Sequence, residues 1–181
     1  MQPDRTTPYC GRSITRYDMT MAVWQFVLDL VPASSARIAG ATAARMRREQ
    51  LDEIRLGFSS TDADVLFARL GTLLPEKNSW SASLRIWGDE KTDDIQVFFD
   101  GQVIEDIQFR LNVADLSLHL VGGICGLARH FDCILATRDG AILLPNREAV
   151  VRTIMQSRAM KFVREPQRFL EEAIRLDRDG A

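Results

Sequence analysis

The alternation of apolar and polar side chains predicts a β-strand near the start of the chain. Residues 22–31 alternate, so that Trp24, Phe26, Leu28 and Leu30 share one face and Val23, Gln25, Val27 and Asp29 share the other. A period of two with one apolar face is typical of a half-buried strand. Pro32 follows and ends the pattern, because proline cannot donate a ladder hydrogen bond.

Three further alternating runs lie in the middle of the chain. A polar loop separates the first two, and Asp100-Gly101, a hairpin turn signal, separates the second from the third. The runs cover 83–87, 95–99 and 103–111. They predict an antiparallel meander, and a second hairpin is predicted over 133–145.

Helical periodicity and capping residues predict the remaining elements. Helices are expected over 61–74 after Thr61, over 116–131 after Asp115, over 147–159 after Asn146, and from Pro166 to about Leu176. The stretch 33–57 has a thin apolar stripe, and we expect a helix from about Ala41 to Leu56.

The order β-α-β-β-β-α-β-β-α-α brings strands in hairpins rather than in strict βαβ alternation. It predicts an α+β fold with an antiparallel or mixed sheet of about six strands and helices packed mainly on one face. Residues 1–18 are polar and aperiodic and are expected to be a disordered tail. Residues 19–181 are long enough for a single globular domain.

Composition narrows the class of protein. The net charge of −2 argues against bulk nucleic-acid binding, and the strip Arg45, Arg47, Arg48 and Arg55 is interrupted by acidic residues. No apolar run approaches the roughly 20 residues of a membrane span, and the first 18 residues lack a signal-peptide core. We therefore expect a cytoplasmic protein without a membrane partner.

The candidates for chemistry are few. His119 and His130 lie eleven positions apart on one predicted helix, roughly 16 Å along its axis, so they cannot share a metal ion. The glycines of 122–126 lack the order of a phosphate-binding loop and favour close packing. The sequence thus assigns no catalytic residue, no metal site and no cofactor, and it favours a binding protein over an enzyme.

The acidic loop 89–94 is the densest local cluster. Its carboxylates could hold a hard cation or act as an acid–base pair, although hairpin loops are commonly acidic for solvation alone. The four are Asp89, Glu90, Asp93 and Asp94. A small-ligand or metal-binding enzyme that uses this loop with His119 is the alternative function.

A second candidate is a surface on the predicted meander. If the aliphatic sides of the strands face the helices, the open side carries Arg85, Trp87, Gln96, Phe98, Gln108 and Arg110. Aromatic residues and arginine are enriched at binding hot spots. The competing interpretation is that these side chains form a second small core beneath segment 33–57. The predicted partner-binding set combines this surface with the acidic loop: Arg85, Trp87, Asp89, Glu90, Asp93, Asp94, Phe98 and Arg110.

The run SLRIWGDEKTDDIQVFFDGQVIEDIQFRL (83–111), with SRAMKFVREPQRFL (157–170), resembles a family of small uncharacterised bacterial proteins associated with immunity proteins of interbacterial toxin systems. The resemblance covers about residues 21–175. It implies a cytoplasmic, non-enzymatic module that binds another protein, such as a toxin, with a homodimer as the other use of the surface. No functional residue is carried over from the family.

Overall fold

A computed structural model of the chain describes residues 22–38 and 40–179. The predicted disordered tail, 1–18, lies outside the described residues. Within them, no helix is long and apolar enough to cross a membrane.

The fold is α+β, built on a seven-stranded antiparallel sheet in the order β4-β5-β6-β7-β1-β8-β9. The predicted fold class is confirmed, with the antiparallel alternative correct. The strands are β1 Gln25–Pro32, β4 Glu76–Lys77, β5 Leu84–Gly88, β6 Asp94–Asp100, β7 Val103–Asn112, β8 Cys133–Thr137 and β9 Ile142–Leu143, with β2 Arg37–Ile38 and β3 Ala41–Thr42 in a separate small sheet.

The helices predicted over 61–74, 116–131, 147–159 and from Pro166 are present with shifted bounds. The one predicted to run to 159 ends at Met155, and a separate helix that was not predicted covers Arg158–Arg164. The helices are α1 Arg48–Asp52, α2 Ser60–Leu73, α3 Leu118–His130, α4 Arg147–Met155, α5 Arg158–Arg164 and α6 Pro166–Asp179. Asn146 caps α4 and Pro166 begins α6, as predicted. Ser59 and Ser117, rather than Thr61 and Asp115, cap α2 and α3, since their hydroxyls accept from the third backbone N–H of each helix.

The main core lies between one face of the sheet and the helices. Ile95, Val97 and Phe109 of the meander pack in one cluster with Leu66 of α2 and Ile124 of α3. Gly123 of α3 lies so close to Leu73 of α2 that an added Cβ would overlap its side chain. The glycine run 122–126 is therefore explained, at Gly123, by close packing between two helices.

Strand β1 is buried on both faces, so the prediction of a half-buried strand is wrong. β1 lies in the middle of the sheet, between β7 and β8. Segment 33–57 is also not the predicted helix 41–56, because only Arg48–Asp52 is α-helical. The segment packs Ala36 and Leu51 on the second face of the sheet, where they form a smaller core with Val31, Ile134 and Ala136.

Candidate functional site

The predicted outward surface on strand β5 faces the opposite way. Trp87 pairs across the sheet with Ile95, and Arg85 pairs with Val97, so both share the helix face. Trp87 is only 1% exposed and stacks on Phe67 of α2 with ring centroids 5.7 Å apart. The prediction that Trp87 is exposed is wrong because the aromatic side chain, rather than the aliphatic side of β5, fills the space under α2.

Arg85 joins this aromatic cluster instead of an open surface. Its guanidinium carbon lies 4.0 Å from the Phe67 ring centre and 5.0 Å from that of Trp87. Two hydrogen bonds, of 2.8 and 3.0 Å, run from the same guanidinium to Glu76 on strand β4. Arg85 thus ties the edge strand to α2 through a stacked cation and a forked ion pair.

Arg110 lies on the second face of the sheet, as predicted, and Asp94, which was predicted in the acidic loop, lies beside it, but neither is exposed. Arg110 donates from Nε and Nη2 to both oxygens of Asp94, at 2.7–3.0 Å, and the two side chains are 4% and 0% exposed. Gln96 Nε2 donates a further hydrogen bond to Asp94 at 2.9 Å. The pair is a buried structural contact between neighbouring strands, which corrects the prediction that it forms part of a docking patch. Phe98, on the same face, is half-buried.

The side chains of the acidic loop mainly contact other groups of this protein. Asp93 accepts the Asn112 backbone N–H at 2.7 Å, and burial raises its pKa above the ordinary value of 3.8. Asp89 is exposed and accepts from the Lys91 N–H, which lowers the pKa of Asp89. Glu90 is half-buried, 3.7 Å from the Arg110 guanidinium.

The alternative site, the acidic loop plus His119, stays a prediction. His119 is exposed, and it is not among the residues that line the depression beside Asp89 and Asp93. Across residues 22–38 and 40–179, no group of three or more His, Cys, Asp or Glu side chains could hold a metal ion. Cys133 is buried, which raises the pKa of its thiol to about 12, so this thiol is not an activated nucleophile.

A different concave surface brings together arginine side chains that lie far apart in the sequence. Two adjoining concavities, of about 550 and 530 Å³, share Arg138 and Asp139 of the turn between β8 and β9. We call them together the arginine groove. It is lined by Gln25, Phe26, Val27, Arg45, Met46, Arg47, Arg48, Gln50, Thr137, Arg138, Asp139, Thr153, Gln156, Ser157, Arg158 and Ala159.

Backbone pairing brings segment 44–46 to this turn. Ile142 N–H donates to Ala44 and Met46 N–H donates to Gly140, both at 2.9 Å, so the segment extends the β8–β9 hairpin. Gly140 has φ +84°, and a side chain there would also meet the Met46 carbonyl oxygen. Glycine is therefore required at 140 both for the turn and for the close approach of the segment that carries Arg45.

The groove is strongly cationic in a chain whose net charge is −2. Five arginines and one carboxylate, Asp139, line it. Arg48 is largely buried and pairs with Asp29 at 2.6 Å and Asp52 at 3.1 Å, so its charge supports the fold. Arg47 and Arg158 are exposed, and neither forms an ion pair within the described parts of the chain.

Asp139 is held as an ionised carboxylate inside the groove. Thr137 Oγ1 donates to its Oδ1 at 2.5 Å, and Arg45 Nη2 lies 2.6 Å from its Oδ2. The Thr137 hydrogen bond, followed by Arg45, lowers the pKa of Asp139 below 3.8. The lining thus stabilises an ionised oxyanion at neutral pH.

Comparison of the chain with models of known protein families, with curated proteins and with solved structures found no match. The function must therefore be argued from the geometry of the chain itself.

Sequence reasoning considered part of this groove and missed the rest. From the sequence, Arg45, Arg47 and Arg48 were considered as part of a nucleic-acid strip, and Arg138 was given no role. Arg158 was not considered. The sequence contains no local signal for the groove, because pairing over nearly a hundred residues joins the two arginine-bearing segments.

Proposed function

We propose that this chain is a non-catalytic, cytoplasmic protein-binding module of the toxin-neutralising type, and that it docks its partner in the arginine groove. The observation that supports this proposal is the lining itself, in which the exposed Arg47 and Arg158 form no ion pair within the described residues and lie in one groove with the Arg45–Asp139 pair. Arginine is the cation most suited to protein interfaces, since its planar fork pairs with carboxylates and is weakly hydrated.

A few apolar side chains also line one half of the groove, although little of each is exposed. Phe26, Val27 and Ala159 line the half of the groove between β1 and α5, each less than a tenth exposed. Binding sites commonly join an apolar base to a few oriented polar groups, which supply affinity and orientation respectively. A concavity of this type suits a projecting segment of another protein.

A different protein is favoured over a second copy of this chain. A homodimer through the groove would need an acidic projection on the same molecule. The acidic loop is the densest acidic cluster in the sequence, and Asp93 and Asp94 of the loop are already bound by the Asn112 backbone N–H and by Arg110. We therefore expect the partner to be another protein, with the toxin of the system as the first candidate.

The test is capture of partners by the purified chain, followed by affinity measurement with the captured protein. The wild type is compared with Arg47→Glu/Arg158→Glu, which reverses two exposed charges in the groove. Charge reversal at an interface costs affinity through lost pairing and through repulsion. We expect the double variant to lose at least tenfold in affinity for the captured protein, and to lose protection against that protein in a growth assay.

Arg69→Glu is the matched control. Arg69 is exposed and lies beside His130, just before the start of β8, whereas the groove lies at the other end of that strand. The five residues of β8 put the two ends roughly 13 Å apart, beyond the Debye length of about 10 Å at 0.1 M salt. Equal binding by the wild type and the double variant would remove the groove from the proposal.

A further inference from the structure

We infer that the groove takes an extended, carboxylate-rich segment of the partner, and that Asp139 occupies in the free protein a position that a partner carboxylate takes in the complex. This inference rests on the proposed function and names the chemistry of the same site. It is supported by the contacts of Asp139, by the size of the groove and by the placement of Arg47 and Arg158 in its two halves.

Asp139 shows which chemical group the lining holds. Its carboxylate accepts from Thr137 Oγ1 and from Arg45 Nη2, and Arg45 also donates to its backbone carbonyl at 2.8 Å. Both side chains of the ion pair remain well exposed, at 63% and 71%, so a ligand can reach them. An exposed pair contributes little stability, so exchange of one carboxylate for another at Arg45 is readily reversible.

The remaining arginines are placed to extend this pairing along a segment. Arg47 lies in the half of the groove formed by segment 45–50, and Arg158 lies in the other half, at the start of α5. The guanidinium of Arg158 lies 5.6 Å from the Phe169 ring centre, a cation–π contact that orients it. Successive carboxylates of an extended segment would meet Arg47, Arg45 and Arg158.

The size of the groove and the placement of its arginines favour a peptide over a small inorganic anion. Each half measures more than 500 Å³, whereas a water molecule occupies about 30 Å³, so a single phosphate would leave most of the groove empty. Arg47 lines one half of the groove and Arg158 lines the other, so one small anion cannot occupy the whole lining. An extended acidic segment satisfies both features.

The test uses defined peptides. A fluorescein-labelled ten-residue peptide of alternating Glu and Leu is titrated by fluorescence anisotropy, alongside the same peptide with Gln for Glu. Inorganic phosphate and a ten-nucleotide single-stranded DNA serve as competitors. We expect the Glu peptide to bind at least tenfold more tightly than the Gln peptide, and Arg47→Glu to weaken it at least tenfold. Arg69→Glu should leave its affinity within twofold.

Asp139→Asn gives the decisive variant. Asparagine keeps an oxygen that can accept from Thr137, so the turn is preserved, but it removes the carboxylate that competes for Arg45. We expect Asp139→Asn to bind the Glu peptide roughly three- to tenfold more tightly. Unchanged or weaker binding by Asp139→Asn, equal binding of the Glu and Gln peptides, or tighter binding of the DNA would each overturn the inference.

The two proposals fail in different ways. If the peptide does not bind but the captured partner still depends on Arg47 and Arg158, the acidic-segment inference is wrong and the docking groove stands. If the captured partner binds the double variant normally, the proposed function is wrong whatever the peptide does.

Discussion

Replacement of Arg110 by methionine tests whether the sequence-predicted patch is structural. Arg110 is 4% exposed and makes three hydrogen bonds of 2.7–3.0 Å to Asp94, which is fully buried. Methionine keeps most of the aliphatic volume and removes the charge, so Asp94 is left without its cation. Loss of one partner from a buried pair destabilises a protein by about 3–5 kcal/mol.

The magnitude translates into a measurable shift in melting temperature. For a chain of this size, each kcal/mol corresponds to about 2–4 °C, so Arg110→Met should lower the Tm by roughly 6–20 °C at neutral pH. The same substitution at Arg168 is the control, because Arg168 is 71% exposed and pairs with Glu165 and Glu172 on the surface of α6. An exposed pair contributes at most about 1 kcal/mol.

The loss of stability in Arg110→Met should also depend on pH, and it should become smaller as pH falls. Burial already raises the pKa of Asp94 above 3.8, and Arg110 opposes that rise. Without Arg110 the pKa rises further, and a group with a raised folded-state pKa loses stability as pH rises through that value. The variant should therefore recover relative to the wild type as pH is lowered from 7, and Asp94→Asn/Arg110→Met should be more stable than Arg110→Met at pH 7.

Urea denaturation followed by tryptophan fluorescence, at pH 7 and pH 5, measures all four proteins. If Arg110→Met loses no more stability than Arg168→Met, the buried-pair argument is refuted and Arg110 returns to consideration as a surface residue. If Arg110→Met loses stability as expected, loss of binding by an Arg110 variant cannot be interpreted as loss of a docking contact.

Three further outcomes follow from the packing and the titrating groups. Trp87→Ala should destabilise the fold by about 3–5 kcal/mol in chemical denaturation, whereas Trp80→Ala, at a site 65% exposed, should change it by less than about 0.5 kcal/mol. Gly123→Ala should raise the unfolding rate and destabilise the fold by about 1–3 kcal/mol, because the added methyl group overlaps the Leu73 side chain. Adding Leu73→Ala to the same protein should relieve part of that loss of stability, and a double-mutant cycle measures this coupling. The lowered pKa of Asp139 means that its ionised form stabilises the fold above pH 3.8, and this contribution is lost as pH falls through the folded-state pKa. The difference in stability between wild type and Asp139→Asn should therefore shrink on acidification below pH 4. A difference that stays constant with pH would contradict the assignment.

The fold was predictable because its elements carry local signals. The alternation in β6 and β7 placed Ile95, Val97 and Phe109 on the helix side, where they are. Asn146 and Pro166 set the starts of α4 and α6 through chemistry that depends only on neighbouring residues. Such signals survive any tertiary arrangement, which is why element order and fold class followed from them.

The face of a strand that meets the helices, and the burial of its side chains, were less predictable because they depend on what lies across the sheet. In β5 the alternation separates Leu84 and Ile86 from Arg85 and Trp87, but alternation alone does not say which set meets the helices. The strand register decides it, since Trp87 lies opposite Ile95 and Ile86 lies opposite Gln96. The rule that aliphatic sides face the helices fails here because both faces of the sheet are covered.

The arginine groove depends on the least local information of all. Arg45 and Arg138 are neighbours only because Arg45 bridges to Ala141 beyond the turn, and Gly140 lets the two backbones approach. Each arginine taken separately has an ordinary explanation, as a helix-flanking or turn residue. They line one groove only when the β8–β9 hairpin and segment 44–46 come together. Because the charges of Arg47 and Arg158 reside on exposed side chains, unlike that of Arg48, they can be replaced with little effect on the fold, and binding can therefore be tested apart from folding.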